Sequence, residues 1–76
     1  MEIVEIRQIH NARPFHPFII HLADGQKIPV EHPEFLAIAP DGHTIVFHSL
    51  RPGGFHIIDP SLVTALEIKS ELEITS

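Results

Sequence analysis

The sequence predicts a small, mainly β domain in which an N-terminal helix precedes five to six short antiparallel strands that curl into a barrel. The chain has 76 residues, which suits one domain rather than two. From position 13 onward, prolines and glycines separate short apolar runs, a rhythm typical of short strands. A sheet closed on itself would protect its edges. We therefore expect a single domain over 1–76, with a helix at 2–10, the barrel at 17–68 and a tail at 69–76.

The first ten residues have the pattern of an amphipathic helix. Ile3, Ile6 and Ile9 recur at three-residue spacing, which places them on one face of a helix. Acidic residues precede basic ones, an order that suits the helix dipole. The β-branched residues would also fit an extended segment. Asn11 and Pro14 are expected to end the helix.

The strands that follow are separated by turns with a recognisable mechanism. Asp24-Gly25 predicts a tight hairpin turn, because both residues accept the backbone conformations that such turns need. Asp41-Gly42 predicts a second turn for the same reason. Pro29 has no N–H for a strand ladder, so its strand should lie at an edge or a bulge. The predicted strands are 18–23, 26–31, 36–39, 43–49, 55–58 and 64–68, with a corner at 32–35 and a helical turn at 59–62.

Alternation along the strands assigns a core and an outer face. The residues expected inside are Phe18, Ile20, Leu22, Ile28, Val30, Ile45, Phe47, Phe55, Ile57, Leu66 and Ile68. On the opposite parity lie Ile19, Val46 and Ile58, which makes the outer face half apolar. An exposed apolar patch usually marks a partner. Ile19, Val46 and Ile58 are therefore the predicted interface with a second copy of the chain or another protein.

Histidine is unusually frequent, with seven residues against a formal net charge of −5. Protonating all seven would reverse the sign of that charge, so association should depend on pH. His21, His48 and His56 fall on the outward parity of strands that could be neighbours. If their imidazoles converged, they could hold zinc or nickel. The alternative is that they are surface or interface histidines.

Charge and composition weigh against several classes of function. Five basic residues against ten acidic ones oppose a surface built to neutralise phosphates. Binding of nucleic acid would require Arg7, Arg13 and Arg51 to share one rim, with phenylalanines stacking on bases. No apolar run reaches the length of a membrane span, so the expected location is the cytoplasm. The absence of cysteine excludes disulfides and thiolate metal clusters.

No catalytic motif accompanies this pattern. His32 and Glu34 could form an acid–base pair, but no nucleophile stands beside them in the sequence. A corner built on Pro33 explains these residues equally well. We therefore expect a protein that is not an enzyme and that needs no cofactor.

Three segments carry a resemblance to known proteins. RPFHPF at 13–18, IHLADG at 20–25 and VEHPEF at 30–35 resemble, in this order, a group of short bacterial proteins. The resemblance spans residues 2–68 and implies a shared fold without supplying an activity.

A more distant similarity is to the Sm-like and SH3-like small barrels. It rests on the N-terminal helix, the strand that ends in Leu22-Ala23-Asp24-Gly25 and the tight turn before the last strand. It implies pairing through strand edges and, for Sm-like proteins, RNA binding in a ring. The chain lacks the basic–glycine pair of that family, since residues 57–60 read IIDP there.

Together these observations predict a non-catalytic small-barrel module for binding or scaffolding that associates with itself. Pairing of a strand edge and burial of the outer face are the expected means. An Sm-like RNA-binding protein and a histidine-based metal-binding protein are the alternatives.

Overall fold

The computed structural model describes residues 2–48 and 54–69 and shows a mainly β fold with one helix. Its elements are α1 (Ile3–His10), β1 (Phe18–Leu22), β2 (Lys27–Val30), β3 (Leu36–Ile38), β4 (Ile45–His48), β5 (Phe55–Ile58) and β6 (Val63–Ile68). The strands form two antiparallel sheets of three strands each. Sheet A has the order β2-β1-β6 and sheet B the order β3-β4-β5. The predicted helix and strands are confirmed, whereas residues 70–76 of the predicted tail lie outside the described residues.

Two short 3-10 helical turns carry the chain from one sheet to the other. Pro33–Phe35 connects β2 to β3, and Pro60–Leu62 connects β5 to β6. Each turn begins with a proline, which cannot donate a hydrogen bond to a strand ladder. β2 ends at Val30 and β5 at Ile58, shortly before these prolines, and the next strand starts in the other sheet. This confirms the predicted corner at 32–35 and the helical turn at 59–62.

The predicted closure into a barrel is not seen in the described part of the chain. There, β1 pairs with β2 and β6, β4 pairs with β3 and β5, and no pairing joins sheet A to sheet B. The strands are only three to six residues long. A strand that takes part in both sheets of a barrel must bend and continue, and here the proline turns end the strands first. The result is two open sheets rather than a closed wall.

The hairpin of β1 and β2 has the geometry that its sequence predicts. The Asp24 side chain accepts a hydrogen bond from the backbone N–H of Gln26 at 2.9 Å. Gly25 has a φ of 94°, which favours glycine. Ile19 lies opposite Pro29, and β2 is an edge strand of sheet A. Pro29 therefore stands where its missing N–H costs no ladder hydrogen bond.

The core lies between the two sheets and α1 and consists of apolar side chains. Among the described residues, no polar or charged side chain is buried. The buried apolar residues are Ile6, Phe18, Ile20, Ile28, Val30, Leu36, Ile45, Ile58 and Val63. The inward parity predicted for the strands is thus confirmed in β1, β2 and β4, where Phe47 is half-buried against the core.

In β5 the predicted parity is wrong. Phe55 and Ile57 were expected inside, but they are 68% and 77% exposed, whereas Ile58 is only 5% exposed. The reason is register: Ile58 lies opposite Ile45, and residues paired across two antiparallel strands point to the same face. Because Ile45 faces the core, Ile58 must face it too. Ile58 therefore cannot belong to the outer surface to which the sequence assigned it.

α1 runs alongside β3 in the opposite direction. Its buried residue is Ile6. On either side of Ile6, other side chains of α1 contact residues that precede and follow β3. Ile3 packs beside Gly42, after β3. Arg7 Nη2 donates to the Ala39 carbonyl at 3.1 Å, and His10 Nε2 donates to the Pro33 carbonyl at 2.7 Å.

No helix in the described ranges is long and apolar enough to cross a membrane. The cytoplasmic location stays a prediction.

The packing of α1 predicts unequal effects of two substitutions on the same helix. Ile6 is fully buried, so Ile6→Ala should lower the free energy of unfolding by about 2–5 kcal/mol, through lost burial and the cavity left behind. Val4 is 58% exposed, and Val4→Ala should change that free energy by less than about 0.5 kcal/mol. Urea denaturation followed by circular dichroism measures both. Equal effects would contradict the placement of α1 on the core.

The turn between β5 and β6 is held by one carboxylate. Asp59 Oδ1 accepts hydrogen bonds from the backbone N–H of Ser61 at 2.9 Å and from the Ser61 hydroxyl at 2.8 Å. The backbone hydrogen bond from Ser61 lowers the pKa of Asp59, and the hydroxyl hydrogen bond and the charge of His43 lower it further. The ionised carboxylate is therefore the form that the folded turn prefers.

This turn predicts a pH-dependent contribution to stability. Since the pKa of Asp59 is lower in the folded chain than its ordinary value of 3.8, the contribution is present above that value and is lost as the pH falls through the folded pKa. Asp59→Ala should destabilise the fold at neutral pH, and the difference from the native chain should shrink in acid. Asp59→Asn retains an acceptor without the charge and is the control. Unfolding curves at a series of pH values measure the effect, and a constant difference would contradict it.

Candidate functional site

The outer face of sheet B carries a contiguous apolar surface. Ala37, Val46 and Ile57 lie side by side across the three strands, and His48 lies beside Phe55. All five point away from the core, because they alternate with the inward residues of the same strands. We call this set the outer apolar face. Its largest exposed members are Phe55 and Ile57 of β5, so the surface is concentrated at the edge of the sheet.

The four edge strands of the two sheets differ in the features that hinder pairing with a further strand. β2 contains Pro29 and Lys27, and β6 contains Glu67. β3 has three residues and is flanked by α1. β5 reads Phe-His-Ile-Ile and has neither a proline nor a permanently charged residue. Proteins usually protect their edges with such residues or with a covering element, so β5 is the edge that the described residues leave open.

A cleft of about 400 Å³ follows β5. It is lined by all four residues of β5, by Leu62 and by the end of the β1–β2 hairpin from Leu22 to Ile28. Leu22 and Ile28 make part of this lining apolar, whereas Asp24 and Gln26 contribute polar groups. The cleft therefore separates the open edge of sheet B from the β1–β2 hairpin of sheet A.

The structure does not bring together the three histidines that the sequence offered as a metal site. His21 lies in sheet A, with Nε2 at 3.0 Å from Glu67 Oε1. In sheet B, His48 stacks on Phe55 with ring centroids 4.8 Å apart, whereas His56 shares the opposite face with Phe47. Within 2–48 and 54–69, no three His, Cys, Asp or Glu side chains are grouped closely enough to hold a metal ion.

The two described arginines that the sequence suggested for nucleic-acid binding donate hydrogen bonds to carbonyls of the chain itself. The Arg7 guanidinium donates to the Ala39 carbonyl, and Arg13 Nη1 donates to the neighbouring Ala12 carbonyl at 2.8 Å. Arg51 lies outside the described residues. A common basic rim stays a prediction.

The histidine considered for acid–base chemistry packs at the corner between the sheets. The His32 ring meets the Phe35 ring edge-on, with centroids 5.2 Å apart. Glu34 is exposed beside it. This contact supports the interpretation of the segment as a structural corner.

Of the three predicted interface residues, two retain an outward position. Ile19 is half-buried on the outer side of sheet A, and Val46 is half-buried within the outer apolar face of sheet B. Ile58 is a core residue. The sequence interpretation missed Phe55 and Ile57, the most exposed members of the face. The interface role of Ile19 and Val46 stays a prediction.

Comparison of the chain with protein-family models, curated proteins and solved structures finds no match.

The separation of the histidines predicts that the chain is indifferent to metal. A chelator should leave the thermal midpoint unchanged, and one equivalent of zinc should not raise it, because a ligand that binds only the folded state would do so. Differential scanning calorimetry with and without each reagent tests this. A zinc-dependent rise that His21→Ala and His56→Ala both abolish would contradict the separation.

Proposed function

We propose that this chain is a non-catalytic binding or scaffold module that associates with a second copy of itself through the outer apolar face. The observation that carries the proposal is the exposure of Phe55 and Ile57, at 68% and 77%, on an open edge strand. Both side chains belong to a contiguous surface rather than to scattered positions. Contiguous apolar surface of this kind usually marks a binding site.

The small size of the chain supports an association. A domain of this length buries a smaller fraction of its surface than a larger one does and has correspondingly little stability to spare. Burying apolar surface stabilises by roughly 25 cal/mol per Å². Contact between the Phe55 and Ile57 side chains of two copies would therefore stabilise both copies, and stability would rise with protein concentration.

The chemistry of the polar groups supports a binding role over a catalytic one. The side-chain contacts of His21 with Glu67 and of Lys69 with Glu31 lie on the surface of the described chain. The first joins β1 to β6, and the second joins the residue after β6 to the residue after β2. Such contacts hold a sheet together and leave its outer surfaces for binding.

We further propose that the two-sheet body is an open variant of the Sm-like or SH3-like small-barrel architecture. Support comes from the N-terminal helix, the Asp-Gly hairpin and the 3-10 turn that precedes the last strand. Addition of a strand to an exposed sheet edge is a recurring mode of protein recognition.

The proposed role of the outer apolar face predicts a change in solution mass. Phe55→Thr combined with Ile57→Thr removes apolar surface while keeping strand-forming residues, so the native dimer should become a monomer. Because neither side chain is buried, the monomer should remain folded. Sedimentation velocity over a concentration series measures the mass, and circular dichroism checks the fold.

Val4→Thr is the matched control, because Val4 is also a large exposed apolar residue but lies on α1. This variant should retain the native mass. A native chain that is monomeric up to millimolar concentration would refute the proposal, as would a double variant that associates like the native chain.

A further inference from the structure

The open edge and the outer apolar face belong to the same strand, and the direction of the backbone groups shows how a second copy would meet it. In sheet B, the N–H of Ala39 donates to the carbonyl of Thr44 at 2.9 Å. Along a strand, successive residues direct their N–H and C=O to opposite sides. Ala37, two residues earlier, therefore also faces β4, and its partner Val46 faces β3.

The same alternation fixes the direction of the backbone groups in β5. Since Val46 faces β3, Phe47 must direct its N–H and C=O toward β5, where its partner is His56. His56 thus bonds to β4. Phe55 and Ile57, on either side of it, direct their backbone groups to the open edge. The two residues with the most exposed side chains are therefore also the two with backbone groups available to another strand.

We propose that β5 pairs antiparallel with β5 of a second copy, about a two-fold axis at His56, to form one continuous six-stranded sheet. This rests on the self-association proposed above and adds its geometry. A two-fold axis perpendicular to the sheet keeps the outer faces of both copies on one side. The assembly is isologous, because one strand supplies both halves of the contact.

The register follows from the positions of the side chains. With His56 opposite the partner's His56, Phe55 lies opposite the partner's Ile57, and this pair occurs twice. Each is an aromatic side chain beside a β-branched one, a favourable cross-strand pair. The backbone groups of both residues face the edge, so the two pairs make four hydrogen bonds between copies. A shift by two residues would place Phe55 opposite the partner's Asp59, in the turn beyond β5.

The other edges fit a second copy less well. Pairing of β2 with itself would meet Pro29, which has no N–H to donate. β3 has α1 beside it, and β6 carries Glu67. The cleft along β5 separates this strand from the β1–β2 hairpin, and the hairpin lines it with Leu22 and Ile28 as well as Asp24 and Gln26. β5 is also long enough, at four residues, to make both Phe55–Ile57 pairs.

The pairing is tested by a single introduced thiol, because the chain has no cysteine. His56 would form a non-hydrogen-bonded pair with its copy, with Cα atoms about 4.5 Å apart, within the range of a disulfide. His56→Cys should therefore give a disulfide-linked dimer on mild oxidation. His16→Cys is the control, because it is also an exposed histidine but lies just before β1 of sheet A and outside sheet B. The variant at position 56 should cross-link faster than the control by about an order of magnitude, as read on non-reducing gels.

Hydrogen exchange of the native chain provides a second measurement that needs no substitution. The amides of Phe55 and Ile57 should become more protected as the protein concentration rises through the range of association. The amide of His56 is bonded to β4 at every concentration and serves as the internal reference.

Selective cross-linking at position 56 together with concentration-dependent protection would establish the pairing. A dimer that shows neither effect would overturn the β5 pairing while leaving self-association intact. A strict monomer that cross-links equally slowly at both positions would overturn both proposals.

Discussion

The structure depends on one shared apolar core that neither sheet could bury alone. A three-stranded sheet of short strands has one face that must be covered, and here each sheet covers the other while Ile6 of α1 packs against the same core. The core side chains come from both ends and the middle of the sequence, so the chain must cross between the sheets. It does so at Pro33 and Pro60, where a residue without an N–H ends one ladder before the other begins.

This arrangement leaves edges that a closed barrel would not have. In a barrel every strand has two neighbours, whereas each open sheet has two edge strands that pair on one side only. Three of the four edges here contain a proline, contain a charge or have a neighbouring helix, and β5 has none of these. The open edge of β5, which a closed barrel would not have, is therefore also the candidate contact surface.

Much of the fold could be predicted from the sequence because its signals are local. The hairpin follows from Asp24-Gly25, the edge position of β2 from Pro29, and the helix from the spacing of Ile3, Ile6 and Ile9. Sheet closure could not be predicted, because it depends on whether strands bend through or stop at the proline turns. The sequence shows that a proline lies at each of these turns, but not whether the strands on either side of it join the same sheet.

The parity of β5 was the error that mattered for the candidate site. The sequence FHII has apolar residues on both parities, so alternation alone does not decide which side faces the core. Register does decide it: His48 pairs with Phe55, so an odd-numbered position in β4 lies opposite an even-numbered one in β5. Combining this register with the inward position of Ile45 assigns Ile58 to the core and Phe55 and Ile57 to the surface.

The helix beside β3 has a consequence for how far any assembly could grow. Strand addition that leaves a fresh edge at the far side of the sheet leads to open-ended fibres. In this chain, Arg7 and His10 of α1 donate to the carbonyls of Ala39 and Pro33, on either side of β3, so a sheet joined at β5 would have a helix near each of its outer margins. A third chain approaching either margin would meet that helix.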